Sequence, residues 1–579
     1  MSGIASPLTA NGLNLQNTGA HALAAALKRH AVDTIFGQSL PSMLHLVGEQ
    51  EGIRQIAYRT ENAGGYMADA YARITGKVGV VTAQNGPAAT LLVPPLAEAL
   101  KASVPLVALV QDVNRDQTDK NAFQDLDHIG MFAPVTKWVR RVTEPSRLED
   151  YVDQAITAAC TGRPGPVALM LPADLLMQPL VSSQRRLSLG HYPLDRTIAD
   201  PDNVALAAEL LVNARQPIVI AGGGVHLSHA HAELAELQEQ CHLPVGTTVM
   251  GKGSVDETHP LSTGVMTYFM GPNGSARYHR PLLANADVIL LIGTRTNQNG
   301  TDSWKLYPKS ATFIHLDIDG IEVGRNYEAR RLVGDAKLTL KALTQAMLAR
   351  GLGQRMQARA ILEQKIVAGR KAYEQESHFV RTSASVPVRP ERIMQELQAG
   401  LVANDIVVAD ASYSSIWIAN YLVALKAGMR FITPRGLAGL GWGFPMAIGA
   451  KIARPEAEVY CVVGDGGFGH VWSELETTAR MGVKVILIVI NNGILGYQKH
   501  AENMKFGDHT TAVDFYPVDH AAIARSCGCE GIRVTDPTEI SGAIAKARSN
   551  DRTTLIEVIC DEDAFPPITF YTPSAEVIE

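Results

Sequence analysis

Hydrophobic residues fall along the chain in short, mostly apolar runs, separated by longer amphipathic stretches. The runs are Asp33–Phe36, Ile53–Tyr58, Pro217–Ile220, Pro244–Val249, Val288–Ile292, Thr312–Ile318, Asp405–Val408, Val459–Val463 and Val483–Ile490. Short apolar runs bounded by Gly, Pro, Asn and Asp read as buried strands. Between them, Leu15–His30, Glu61–Asp69 and Gly469–Arg480 carry apolar or small residues at helical spacing. Strand and helix in alternation predict an α/β fold of doubly wound parallel sheets. The pattern divides into three domains, at 1–185, 198–350 and 387–579. Residues 351–386 read as a linker, because Leu352–Glu376 is helical in pattern and rich in charge, Ala and Gln.

The stretch Val459–Asn492 is the most informative. Its first strand runs into Gly464-Asp465-Gly466-Gly467, a turn almost without side chains, and its second ends in Asn491-Asn492. A right-handed crossover makes the two strands parallel, so both end on the sheet edge where ligands bind. Asp465 and Asn492 are therefore expected at neighbouring strand tips. Carboxylate and amide oxygens are hard ligands suited to Mg2+, which fills its remaining positions with phosphate oxygens and water. The glycines let backbone N–H groups close on a phosphate, and the helix that follows presents its positive end. Two other readings use the same residues. Gly464–Gly469 fits the dinucleotide fingerprint G-x-G-x-x-G, but that needs an acid at the next strand tip, where this chain has asparagines. The other is a structural turn with an incidental asparagine pair.

Length and composition suit a large globular enzyme, with 579 residues, 46% of them hydrophobic and 19% charged. A net charge of −6 gives no basic field for nucleic acid or a membrane surface. Six cysteines in so long a chain form no disulfide framework; Cys527 and Cys529, with no second Cys or His pair nearby, read as buried thiols. The N-terminal MSGIASPLTANG lacks a basic region followed by an apolar core. No apolar run approaches the ~20 residues of a membrane span. A soluble, cytoplasmic protein is expected.

The Gly-Asp-Gly turn followed by paired asparagines is the thiamine diphosphate signature. The words E-N-A-G-G-Y-M-A-D-A-Y-A-R-I-T-G-K-V-G-V-V, from Glu61, and G-L-A-G-L-G-W-G-F-P, from Gly436, extend the likeness over nearly the whole chain. In these words it resembles the acetolactate synthase group of thiamine diphosphate enzymes. The resemblance implies pyrimidine-binding, central and diphosphate-binding domains, with thiamine diphosphate and Mg2+ as cofactors. It implies a homodimer or a pair of dimers, because in the family the domains carrying Glu61 and Asp465 meet across a dimer interface. Glu61 would hydrogen-bond a ring nitrogen of the aminopyrimidine and serve its proton exchange; taken alone, it is an acid complementing a helix start. Gly86 and Pro87 would touch the pyrimidine. Phe123 and Gln124 would contact substrate, and Lys137 is a further candidate whose plain alternative is a solvated charge. Ser412, Tyr413 and Ser414 offer hydroxyls and amides to phosphate, or form a polar loop. Leu440, after Gly439, would wedge beneath the cofactor, or simply pack in a Gly-rich turn. Gly464, Asp465, Gly466, Gly467, Asn492, Gly496 and Tyr497 complete the cofactor contacts, with Asp465, Asn492 and the Ile494 carbonyl as magnesium ligands.

In the same family the central domain holds FAD in a structural role. Arg163, Gly222, Gly223, Gly224, Arg295 and Asp317 match the residues that contact it. The family's second arginine is missing; this chain reads Thr296-Asn297-Gln298-Asn299-Gly300. ADP, as in related acyl-CoA lyases, and an empty scaffolding domain are the alternatives. Two active-site loops also depart from the family. Tyr497 and Gln498 replace its Met and Trp, and Gln38-Ser39-Leu40-Pro41 replaces its Pro-Gly-Gly. The implied activity is carboligation of a small 2-keto acid. The alternatives are a lyase or decarboxylase acting on a 2-hydroxyacyl-CoA, a sulfo- or aryl-keto acid or an acyloin, and a thiamine-binding paralogue without activity. The presence of Glu61, Asp465 and Asn492 argues against the last.

Overall fold

The computed structural model describes residues 9–10, 13–14, 17–38, 40–181, 183, 185–267 and 269–568. Most of the N-terminal stretch read above, the start of Leu15–His30, and Ser39 lie outside these residues. Besides a two-stranded ribbon, Thr9–Ala10 with Leu13–Asn14, the strands form three six-stranded sheets. The first contains β1 (Thr34–Phe36), β2 (Arg54–Ile56), β3 (Gly79–Ala83), β4 (Leu106–Asp112), β5 (Trp138–Arg141) and β6 (Pro166–Pro172), in the order β2-β1-β3-β4-β6-β5. The second contains β7 (Pro217–Ala221), β8 (Val245–Thr247), β9 (Ser262–Val265), β10 (Val288–Ile292), β11 (Thr312–Asp317) and β12 (Ala329–Val333), in the order β9-β8-β7-β10-β11-β12. The third contains β13 (Ile406–Ala409), β14 (Arg430–Ile432), β15 (Val459–Gly464), β16 (Ile486–Asn491), β17 (Glu530–Val534) and β18 (Thr554–Ile559), in the order β14-β13-β15-β16-β18-β17.

Every pairing within these sheets is parallel. Helices on both faces of a parallel sheet leave its inner strands no polar side, which is why β10, β6 and β15 read as near-continuous apolar runs. Two edge strands carry no such signal. Ala329–Val333 holds Arg330 and Arg331 on the rim, and Ser262–Val265 has only one large apolar residue. Of the expected helix Gly469–Arg480 only the second half is helical, as Glu474–Met481, while the Gly-rich turn before it winds into a short helix, Asp465–Phe468. Glu474–Met481 begins where Glu474 and Glu476 can complement its positive end.

The chain packs as two compact units. The first runs to Asp195 and takes in Arg435–Leu437 and Ile448–Arg454; the remainder forms the second. In the first unit, the helix Glu61–Thr75 uses its small face for close packing. A Cβ on Gly64 would lie 2.1 Å from the Tyr58 ring, and one on Gly449 would lie 2.0 Å from the Met67 carbonyl oxygen. Arg73 of this helix pairs with Asp69 at 2.6 Å and lies 3.5 Å from Glu98. The fully buried Glu98 carboxylate also accepts the amides of Gly436, at 2.8 Å, and Leu437, at 2.6 Å.

The second unit joins the central and C-terminal sheets around a shared core that includes Ile218, Ile289, Ile393, Trp417 and Ile488. The buried Lys252 ammonium donates to Glu257 at 2.7 Å and to the Leu422 carbonyl at 2.6 Å. Glu257 in turn accepts the Ala424 amide at 2.8 Å. The stretch read as a linker is one helix, Gly353–Arg381, which buries Ile366, Gly369 and Tyr373. Its Arg381 lies 5.4 Å over Tyr373 and 5.1 Å over Tyr421. It is a packed strut of the second unit, held by Ile366, Tyr373 and the Arg381 contacts, although Met356, Ile361, Val367 and Phe379 of the same helix are exposed.

Candidate active site

Strands β15 and β16 lie side by side with Gly464 opposite Ile490, so Asp465 and Asn492 follow adjacent strand tips. One oxygen of the buried Asp465, Oδ2, accepts the Gly493 amide at 3.0 Å. The other, Oδ1, lies 3.1 Å from the side-chain amide of Asn492, which also sits 2.9 Å from the Ile494 carbonyl oxygen. Hydrogen bonding alone favours the Asn492 nitrogen at that point, donating to both. A half-turn of the amide puts its oxygen there instead, and the oxygens of Asp465, Asn492 and Ile494 then converge. Such an all-oxygen set is what Mg2+ takes from a protein. Burial pushes the Asp465 carboxyl up to about 6, against the pull of the Gly466 and Gly493 amides. A divalent cation would favour its charged form. The donor set therefore fits the ion expected from the sequence.

Next to this turn stands a loop whose backbone is strained. Ser412 has φ 61° and ψ −142°, a region that L-residues rarely enter, and it opens the helix Tyr413–Tyr421. Ser414 is buried, and Ser415 Oγ donates to the Ser412 carbonyl at 2.8 Å. The Tyr413 hydroxyl meets His500 Nδ1 at 2.8 Å, and its ring stands edge-on to Tyr497 at 5.6 Å. A Cβ on Gly496 would reach the Asn492 amide at 3.1 Å and the Tyr413 ring at 3.4 Å. Tyr413, Gly496, Tyr497 and Asn492 thus lie together.

Asp410, at the tip of β13, organises the third piece. Its buried carboxylate accepts the amides of Gly441 at 2.8 Å, and of Trp442 and Gly443 at 3.0 Å each. Burial raises its pKa, against the pull of these amides. The turn bearing the half-buried Leu440 is thereby pinned to β13, while the Trp442 ring covers Gly439. Asp410 was not among the residues singled out in the sequence. A lone acid after an apolar run carries no signal until its amide partners are known.

The first unit holds the other candidates. Glu61 is the half-buried first residue of its helix. Gly86, with φ 66° and ψ −123°, opens the helix Pro87–Leu91. Its conformation suits glycine alone, and a Cβ there would strike Gln124 at 2.7 Å. Asn85 Nδ2 donates to the carbonyls of Phe123 at 3.2 Å and Gln124 at 3.0 Å. The loops of Gly86–Pro87 and Phe123–Gln124 are therefore one assembly, with the Phe123 ring 83% exposed at its surface. Gln38 Nε2 ties its own turn to the carbonyls of Tyr58 at 2.7 Å and Arg59 at 2.8 Å, just before Glu61. Lys137 stands apart. Its ammonium donates to the carbonyls of Ala158 at 2.6 Å and Thr161 at 2.9 Å, at the end of the helix Leu148–Cys160. Arg163, half-buried, lies in the turn beyond that helix.

In the central sheet, β7, β10 and β11 are neighbours, so their ends bring Gly222–Gly224, Gly293–Arg295 and Asp317 to one edge. Gly222 and Gly224 bond through their amides to the carbonyls of Ile292, at 2.8 Å, and Gly293, at 3.0 Å. Burial pushes Asp317 up to about 7, with Asp319 and Glu322 adding to the shift and Arg295 opposing it.

The matches with known proteins follow these pieces. The description "Thiamine pyrophosphate enzyme, N-terminal TPP binding domain" fits residues 17–131, the corresponding central domain fits 204–343, and the C-terminal TPP binding domain fits 410–558. A probable acetolactate synthase large subunit of Methanococcus aeolicus is 33% identical over 562 residues, covering 94% of this chain and 92% of that one. The chain belongs to the acetolactate synthase family of thiamine pyrophosphate enzymes. Other relatives agree. An acetolactate synthase of Arthrospira platensis is 33% identical, covering 95% of this chain and 96% of its own. A probable large subunit from Methanocaldococcus jannaschii is 31% identical, covering 95% and 93%. The family's N-terminal match contains Glu61, Gly86, Pro87, Phe123 and Gln124, its C-terminal match contains the Asp465 and Ser412 loops, and Lys137 falls outside all three.

Proposed function

We propose that this thiamine pyrophosphate enzyme is a Mg2+-dependent carboligase of 2-keto acids. The observation that carries the reading is the meeting of Asp465, Asn492 and the Ile494 carbonyl around one point, beside the strained Ser412 loop. Those three would hold the ion, and Ser412, Tyr413, Ser414, Gly464, Gly466 and Gly467 the diphosphate. Bound thiamine diphosphate supplies an electron sink for the carbon that loses its carboxylate. The chain's own part is to bind, orient and move protons. Glu61 would hold a proton at the aminopyrimidine ring nitrogen and return it. Gly86 and Pro87 would lie along the pyrimidine, and Leu440, fixed through Asp410, would support the ring from below. Phe123 and Gln124 would orient the carbonyl substrate.

A lyase or decarboxylase of the same family is the second reading. It is favoured by Tyr497 and Gln498, which stand where the resemblance leads one to expect the residues that choose a second keto acid. The central edge would take the adenine nucleotide of FAD, or ADP, with Asp317 accepting ribose hydroxyls and Arg295 facing phosphate. The Gly222 and Gly224 amides, already bonded within the fold, would not take part. A homodimer or pair of dimers and a cytoplasmic location complete the proposal; the six thiols are free, as in a reducing compartment. Among the described residues, no helix is long and apolar enough to cross a membrane.

The test is to assay CO2 and acyloin release from a panel of 2-keto acids, with and without thiamine diphosphate and Mg2+. Acyloin formed in step with CO2 is the expected result. CO2 without acyloin would select the decarboxylase reading, and no reaction with any keto acid would remove both. A flavin band near about 450 nm in the purified protein would report FAD.

A further inference from the structure

His128 has no part in the reading above, yet it holds the assembly that carries Gly86, Pro87, Phe123 and Gln124. It is buried, and its Nε2 accepts the Gly86 amide hydrogen at 2.9 Å. An imidazole nitrogen that accepts a backbone N–H carries no proton, so the ring proton sits on Nδ1. Nδ1 faces Asp112 Oδ1 at 3.7 Å, and Asp112 is held by Arg141 at 2.7 Å and by the Val113 amide at 2.9 Å. Together with the two bonds from Asn85, this contact fixes the backbone of 85–86 against that of 123–128. We propose that His128 is a positioning residue, whose unprotonated Nε2 sets the Gly86 turn and through it the carbonyl-side contacts of Phe123 and Gln124. The inference rests on the proposed roles of those three residues.

The contact depends on charge state. A protonated ring donates at both nitrogens and has nothing to offer the Gly86 N–H. Burial lowers the His128 pKa below its usual 6.5, and Arg141 lowers it further, while Asp112 on β4 and Asp125 and Asp127 on its own loop oppose the shift. The bond is thus intact at neutral pH and is lost as pH falls through a midpoint below 6.5.

Two variants of the full-length holoenzyme separate this role from plain packing. His128→Gln keeps an acceptor near the position of Nε2 but cannot titrate; His128→Leu keeps bulk and removes the acceptor. For the native enzyme, kcat/KM for the keto acid is expected to fall on the acid side with a midpoint below 6.5. The Gln variant should keep most of its neutral-pH activity and lose that acid limb. The Leu variant should lose at least about tenfold in kcat/KM at neutral pH, and the gap to the native enzyme should close below the midpoint. An acid limb that persists in the Gln variant would overturn the proposal, as would a Leu variant that matches the native enzyme. Hydrogen exchange of the peptide containing Gly86 reads the same bond without substrate. Faster exchange in Leu but not in Gln supports the contact, and equal exchange in all three proteins refutes it. An inactive native enzyme with that exchange pattern would refute the proposed function and leave the contact standing. Should His128→Leu fail to fold, the acid limb of the Gln variant decides.

Discussion

Asp410 Oδ2 fills the space that a side chain on Gly467 would need: a Cβ built there would lie 2.0 Å from it. One buried carboxylate therefore touches both the Gly464–Gly467 turn and the Gly441–Gly443 amides. Gly467→Ala is expected to displace that carboxylate, lower stability by about 1–3 kcal/mol, and weaken thiamine diphosphate binding. Urea unfolding and calorimetric titration of the cofactor measure the two effects. An unchanged affinity would break the link drawn here between Asp410 and the cofactor turn.

Glu61→Gln keeps the size of the side chain and removes its proton chemistry. Turnover should drop by about 10²–10⁴-fold or more, with thiamine diphosphate still bound, since its diphosphate contacts lie elsewhere. Steady-state kinetics alongside a binding titration checks both halves. A Gln variant as active as the native enzyme would remove the role assigned to Glu61.

Asn492→Leu takes one oxygen from the proposed ion site without changing its volume much. The Mg2+ concentration for half-maximal activity should rise at least about tenfold. Chelation of the native enzyme should abolish activity, and added Mg2+ should restore it. Mg2+ dependence identical in the two proteins would show that the ion binds elsewhere.

The parts of this molecule that were legible in the sequence are those written in local signals. Val459–Asn492 declares its strands, its turn and its asparagine tip through composition alone, and the structure brings Asp465 and Asn492 together as expected. Asp410 and His128 were not legible, because each acts on amides far along the chain: Gly441–Gly443 for one, Gly86 for the other. A buried acid or imidazole looks the same in sequence whether it has such partners or not. Lys137 illustrates the reverse. The sequence offers it as a substrate contact or a solvated charge, whereas its ammonium is turned to the carbonyls of a helix end. The strands Ser262–Val265 and Ala329–Val333 carry no apolar pattern because they lie on sheet rims; the inner strands Leu106–Asp112, Pro166–Pro172 and Thr554–Ile559 do carry one and are not among the runs read from the sequence.

Lys252 and Glu257 tie the central sheet to the C-terminal one. Lys252→Met strands the Glu257 charge in the interior and should cost about 3–5 kcal/mol. Adding Glu257→Gln, which can still accept the Ala424 amide, should recover most of that loss. Chemical unfolding of the two variants measures the difference. Equal stability of the single and double variants would mean that the charge was never isolated.

Asp317 gives stability a pH dependence of predictable sign. Its folded-state pKa is raised from 3.8 to about 7, so the folded protein holds this proton more tightly than the unfolded chain. The contribution is complete below 3.8 and disappears as pH rises through about 7. Asp317→Asn can still accept the Asp319 amide and has no proton to lose. Its stability relative to the native protein should therefore rise across that window, by on the order of a few kcal/mol. Parallel stability curves for the two proteins over the window would contradict this.

Glu98 has a consequence for how the protein is made. The amides that satisfy its carboxylate, those of Gly436 and Leu437, come 338 and 339 residues after it. While a nascent chain is still emerging from the ribosome short of that point, the first unit carries a buried carboxylate that has Arg73 beside it but whose two amide donors have not yet been synthesised. It also lacks the Ile448–Arg454 segment that packs on Met67. The N-terminal third can gather early, but its interior closes only once the chain has been made as far as Arg454.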